Sequence, residues 1–128
     1  MEPMTEELFD QITADYLEIQ QQTEFDGYQD FAETTAIYPE ELALEYLTLG
    51  LCSEAGEVAG KIKKLIRDQE SKEGDKEDIA KELGDVLWYV ANLCSEMEIF
   101  MSEVAEMNIQ KLKDRQARGK LGGSGDAR

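Results

Sequence analysis

Histidine is absent from the 128 residues. Its absence removes His-ligated zinc sites and the usual forms of Ser-His-Asp and Cys-His catalysis. Cysteine is nearly absent as well. Cys52 and Cys94 both fall inside helical patterns, make no disulfide framework and read as small apolar residues of the interior. No stretch approaches the roughly 20 apolar residues of a membrane span. Basic residues are scarce, 13 against 29 acidic ones, for a net charge of −16. Such a surface repels nucleic-acid backbones and anionic membranes, which argues against a polymer-binding module. The acidic start Met1-Glu-Pro-Met-Thr-Glu-Glu lacks the basic and apolar segments of a signal peptide, so a cytoplasmic protein is expected. Without histidine, any metal site must be built from oxygen ligands, which favours Mg²⁺ with Mn²⁺ as a substitute.

What the chain does contain is helical periodicity. Apolar residues make up 41% of it, and no strand-like alternation or internal repeat occurs. A first helix is expected over Thr5–Gln22, with Leu8, Ile12 and Ile19 as its stripe. A short second one follows, opened by a Thr23…Asp26 capping box and ending near Ala36. Pro39 suits the first turn of a long helix reaching Asp68, with Lys61, Lys63, Lys64 and Arg67 set against the dipole at its end. After a polar connection over Asp68–Gly74, Asp75 is placed to cap a helix running to Glu98. Ser102 is placed to cap the last helix, with Gly119 just beyond it. Ile79, Leu83, Val86, Val90, Leu93 and Met97 form a seam at bundle spacing. Leu44, Leu47, Leu51, position 54 and Val58 form a matching one, so the two helices read as an antiparallel hairpin.

Position 54 breaks the second seam, because it is Glu. A carboxylate on a core seam is costly without a partner, and local rules tend to fail at functional sites. Glu57 shares its side of the helix, and Glu82 and Asp85 repeat the i, i+3 spacing on the next helix. Carboxylates about 4 Å apart at an effective dielectric near 20 repel by roughly 4 kcal/mol per pair, which a divalent cation removes. The bland alternative is four exposed acids on a very acidic protein. Gly50, Gly56, Gly60 and Gly84 also interrupt the helices at about 1 kcal/mol each relative to Ala. Small residues there allow a helix or a ligand to approach the backbone. On the last helix Asn108, Lys111 and Arg115 share a face, and Lys and Arg on one face suit phosphate oxygens.

Assembled, these pieces resemble the MazG-like family of all-α nucleotide pyrophosphohydrolases over residues 28–128. The blocks that carry the resemblance are Tyr28-Gln29, Thr35-Ala-Ile-Tyr-Pro39, Leu49-Gly-Leu-Cys-Ser-Glu-Ala-Gly-Glu-Val58 and Glu82-Leu-Gly-Asp-Val-Leu-Trp-Tyr89. Asn108-Ile-Gln-Lys-Leu-Lys-Asp-Arg115 and Gly122-Gly-Ser-Gly-Asp-Ala-Arg128 complete them. The family's metal motif commonly reads EExxE followed by ExxD; here Ser53 replaces the first Glu, which leaves the number of metal ions open.

The resemblance implies an all-α bundle completed by oligomerisation to a homodimer or homotetramer, and Mg²⁺ held by Glu54, Glu57, Glu82 and Asp85. It implies hydrolysis of a nucleoside triphosphate to the monophosphate and pyrophosphate, by attack of metal-activated water on the α-phosphorus. Glu54 or Glu57 would orient that water or accept its proton. Asn108, Lys111, Arg115 and Arg128 would contact the phosphates, and Tyr28, Tyr89 and Asn92 are candidates for the base or sugar. Trp88 reads more as core than as a contact. The expected organisation is a helical extension over 1–24, the pyrophosphohydrolase domain over 25–118 and a Gly-rich tail over 119–128. Competing readings are a hydrolase of an alarmone or other nucleoside polyphosphate, and a non-catalytic helical interaction module.

Overall fold

The computed structural model describes residues 4–69 and 76–128, with the backbone alone over 18–23. Among the described residues the fold is all-α. Helices α1 (Glu6–Thr23), α2 (Phe25–Thr34), α3 (Ala43–Asp68), α4 (Lys76–Glu96) and α5 (Met101–Ala117) follow one another without a strand. The expected hairpin is present. Lys61 lies against Glu82, Glu54 against Glu82 and Asp85, and Tyr46 against Tyr89, so α3 runs back along α4. Helix α2 packs on α4, and α1 and α5 both pack on α2.

The centre of this arrangement is small. Ala32 of α2, Ala91 and Cys94 of α4 and Met101 of α5 are buried together, with Tyr28, Trp88 and Val90 packed around them. Ala32 and Ala91 have no bulk to hold the helices apart, which brings α2 and α4 close. The seams are only half covered in the single chain: Leu47 is fully buried, whereas Leu44, Leu83 and Met97 are exposed. The α1 stripe is exposed at Leu8 and Ile12, and the Ile19 side chain lies outside the described residues. Cys52 is also exposed, a correction to its expected place in the interior.

Several expected helix ends differ. Asp26 does not close a capping box at α2, whose N-cap is Glu24. Its carboxylate reaches instead to α5, accepting from the Ser102 backbone N–H at 3.0 Å and the Ser102 hydroxyl at 2.6 Å. Ser102 is therefore not the cap of α5. That position is Phe100, whose N–H donates to Glu103 at 3.1 Å. Pro39 precedes a 3-10 turn, Glu40–Leu42, and α3 begins only at Ala43. Helix α4 stops at Glu96, two residues short of expectation. The proposed Asp75 cap lies outside the described residues. Buried Gln29 ties three segments together, donating to Ser95 at 3.2 Å and the Ile99 carbonyl at 2.8 Å and accepting from the Met101 N–H at 2.7 Å.

Of Gly50, Gly56, Gly60 and Gly84, only Gly50 is closely packed. A methyl there would overlap the Tyr89 ring, while Gly56, Gly60 and Gly84 face open space. Gly60→Ala is expected to raise the melting temperature, through about 1 kcal/mol of helix propensity. Gly50→Ala gains the same propensity but displaces Tyr89, and overpacking of this kind costs about 1–3 kcal/mol. Paired thermal melts check this: Gly60→Ala above wild type and Gly50→Ala below it.

Candidate metal and phosphate site

The hairpin brings three of the four expected acids together. Carboxylate oxygens of Glu54, Glu82 and Asp85 all lie within 4.8 Å of one another. Helical periodicity accounts for this. Glu82 and Asp85 are one turn apart on α4, and Glu54 sits opposite them where the α3 seam would otherwise carry an apolar residue. Glu57, one turn further along α3, is exposed and stands outside that group.

The electrostatics match the geometry. The Glu54 carboxyl is held above its ordinary value, first by burial and then by the charges of Asp85 and Glu82, a hydrogen bond with Glu82, and the charge of Glu57. Lys61 supplies one positive charge to the cluster, 3.5 Å from Glu82. The remaining negative charge has no protein cation close by among the described ion pairs. Three convergent carboxylate oxygens, one of them on an acid reluctant to ionise, fit a hard divalent cation better than they fit an empty surface. Gly56 and Gly84, each between two acids in sequence, leave the adjoining backbone uncovered.

Aromatic side chains lead away from the acids. Tyr89 packs against Tyr46 at a centroid distance of 6.4 Å, and Tyr46 stacks on Tyr38 at 5.5 Å. The Tyr89 hydroxyl is raised by burial, by Tyr46, and by the charges of Glu54 and Asp85, which places it at the edge of the cluster. The Tyr28 hydroxyl is held above its ordinary value by burial and then by the charge of Asp85. Tyr38 donates to Glu96 at 2.7 Å, and burial with that bond pushes it up to about 12. Trp88 is half-buried and donates to Thr35 at 2.7 Å, as suits a residue of the core. Asn92 is 0% exposed. Its amide donates to the Trp88 carbonyl at 3.1 Å, and its Oδ1 is buried without a partner. It presents no surface to a base or sugar in this chain.

The basic residues form a second group on α5. Asp126 of the tail joins Lys111 (3.5 Å) and Arg115 (3.2 Å), while Asn108 is exposed on the same helix. Arg128 folds back within the tail and donates to the Gly125 carbonyl at 2.5 Å. Among the described residues no hydrogen bond or ion pair links this group to the acids, and α5 rests on α2.

The family model of the MazG nucleotide pyrophosphohydrolase domain matches residues 42–119. The chain belongs to the MazG family. It is also similar to the Gene 37 protein of Mycobacterium phage L5, 43% identical over 111 residues that span 80% of this chain and 97% of that protein. No solved structure matches the chain. The matched MazG domain contains all four acids and Asn108, Lys111 and Arg115, whereas Tyr28 and Arg128 lie outside it. No helix among its described residues is long and apolar enough to cross a membrane. Sequence reasoning missed one residue beside these acids. Lys61 was grouped with the helix-end cations, but it lies seven residues after Glu54 and so on the same helix face.

Proposed function

We propose that this protein hydrolyses nucleoside triphosphates, ribo- or deoxyribo-, to the monophosphate and pyrophosphate with Mg²⁺ as cofactor and Mn²⁺ as a substitute. Membership of the MazG family supports nucleotide pyrophosphohydrolase activity in general. The observation that carries the finer reading is the convergence of Glu54, Glu82 and Asp85 across the α3–α4 hairpin. These three would hold the ion, with Glu57 completing its surroundings through solvent or substrate. When bound, Mg²⁺ neutralises the phosphate chain and lowers the pKa of a coordinated water.

The chain's own groups do the rest. Glu54, whose carboxyl burial and the neighbouring acids hold above its ordinary value, or Glu57 receives the proton of the attacking water. Lys111 and Arg115 stabilise charge on the departing pyrophosphate, with Asn108 and Arg128 as further phosphate contacts. Tyr28 and Tyr89 flank the acids and offer flat surfaces for base or sugar. We infer a homodimer or homotetramer as the working form. Leu49 at 71% and Ile66 at 74% exposure, on the same helix as Glu54, are apolar side chains left open in the single chain that a second copy would cover.

The test is product analysis with a panel of NTPs, dNTPs and an alarmone, with and without Mg²⁺. Monophosphate and pyrophosphate from triphosphates, formed only with the metal, are expected. Diphosphate with orthophosphate, turnover of the alarmone alone, or no turnover of any nucleotide would each contradict the reading.

A further inference from the structure

We propose that Asp126 is a built-in competitor for phosphate: its carboxylate occupies Lys111 and Arg115 in the substrate-free protein and yields them when a phosphate group arrives. This rests on the reading of Lys111 and Arg115 as phosphate ligands. A single oxygen, Oδ1 of Asp126, takes both cations, Lys111 at 3.5 Å and Arg115 at 3.2 Å. It thus occupies the charge-bearing face of α5 that a phosphate oxygen would use.

The tail is held there by polar contacts. Gly119, Gly123 and Gly125 adopt left-handed backbone that turns it back along the helix. The Arg115 Nη2 donates to the carbonyls of Asp126 at 3.0 Å and Gly125 at 3.5 Å, and Arg118 donates to the Arg128 carbonyl at 2.7 Å. Leu121, the tail's large apolar residue, is exposed, so no apolar burial fastens the segment. The Lys111–Asp126 pair is exposed on both sides, and such pairs contribute little and are easily exchanged.

The fit of Asp126 is also incomplete. Arg115 is 4% exposed, yet its Nε is buried with no hydrogen-bond partner, and its hydrogen bonds to the tail all leave from Nη2. A guanidinium fork is matched by an anion that meets two of its donors at once, as a phosphate can. The Asp126 side chain is 89% exposed, which leaves solvent a path to replace it. Its carboxyl is held below the usual range, by its bond to Arg115 first and then by Lys111, so it is ionised at neutral pH.

Calorimetric titration of the full chain with inorganic pyrophosphate, without Mg²⁺, tests this. Asp126→Asn is expected to bind pyrophosphate about fivefold more tightly than wild type, because the competing charge on Lys111 and Arg115 is gone. The KM for NTP should fall by a similar factor. Equal or weaker binding by Asp126→Asn overturns the proposal. Lys111→Met in the wild-type background separates the two failures. If it loses pyrophosphate binding while Asp126→Asn gains nothing, the phosphate subsite stands and the competitor does not. If it binds as wild type does, or no form binds at all, the phosphate subsite itself fails and the proposal with it.

Discussion

Asp85→Asn is expected to reduce pyrophosphate release by roughly 10²–10³-fold with the helical content intact. Loss of a metal ligand removes several kcal/mol of transition-state charge stabilisation, and each 1.36 kcal/mol is tenfold in rate. The side chain is exposed, so the amide leaves no cavity and no buried unpaired charge. Glu54→Gln should lose activity to a similar degree, because Glu54 faces both Glu82 and Asp85. Circular dichroism with a pyrophosphate-release assay reads both sides. Full activity in either variant would remove that residue from the site. Loss of helix along with activity would mean that the acids act through the fold.

Addition of Mg²⁺ to the metal-free protein at neutral pH is expected to raise its melting temperature by about 10 °C at a hundredfold excess over Kd. That excess corresponds to about 2.7 kcal/mol of stabilisation, and a domain of this size gains roughly 3–5 °C per kcal/mol. The pH dependence follows from Glu54, whose folded-state carboxyl lies above its ordinary value of 4.5. The folded chain then holds the proton more firmly than the unfolded one. This contributes stability that is fully present below 4.5 and is lost as pH rises through the raised folded value. Metal-free protein should therefore lose stability across that window, and Mg²⁺ should restore it only where the carboxylates are ionised. Melts in EDTA and in Mg²⁺ from pH 4 to 7 check the sign. A metal effect that persists undiminished at the acid end would place the ion elsewhere.

The hairpin and its acids were legible because both obey short-range periodicity. A helical seam interrupted by Glu54, and a repeated i, i+3 pair at Glu82 and Asp85, need only the 3.6-residue repeat and antiparallel pairing to converge. What escaped depends on contacts distant in sequence. Asp26 looked like a local cap, but it satisfies the first turn of α5, 76 residues away. Asn92 carried no sign of full burial, because a polar residue on a helix shows nothing in its local pattern of the tertiary packing that covers it. Pro39 gave the place of a helix start without revealing that its first turn would be 3-10. The return of Asp126 onto Arg115 depends on left-handed glycines whose turn direction the composition of the tail does not specify.

The proposed chemistry centres on a cation held between α3 and α4. Crystals soaked in Mn²⁺ and measured at the manganese edge test this most directly. An anomalous peak between the carboxylates of Glu54, Glu82 and Asp85 is the predicted result, and it should disappear in Asp85→Asn. Ordered carboxylates in the same crystals with no peak among them, or with the ion bound elsewhere on the acidic surface, would contradict it.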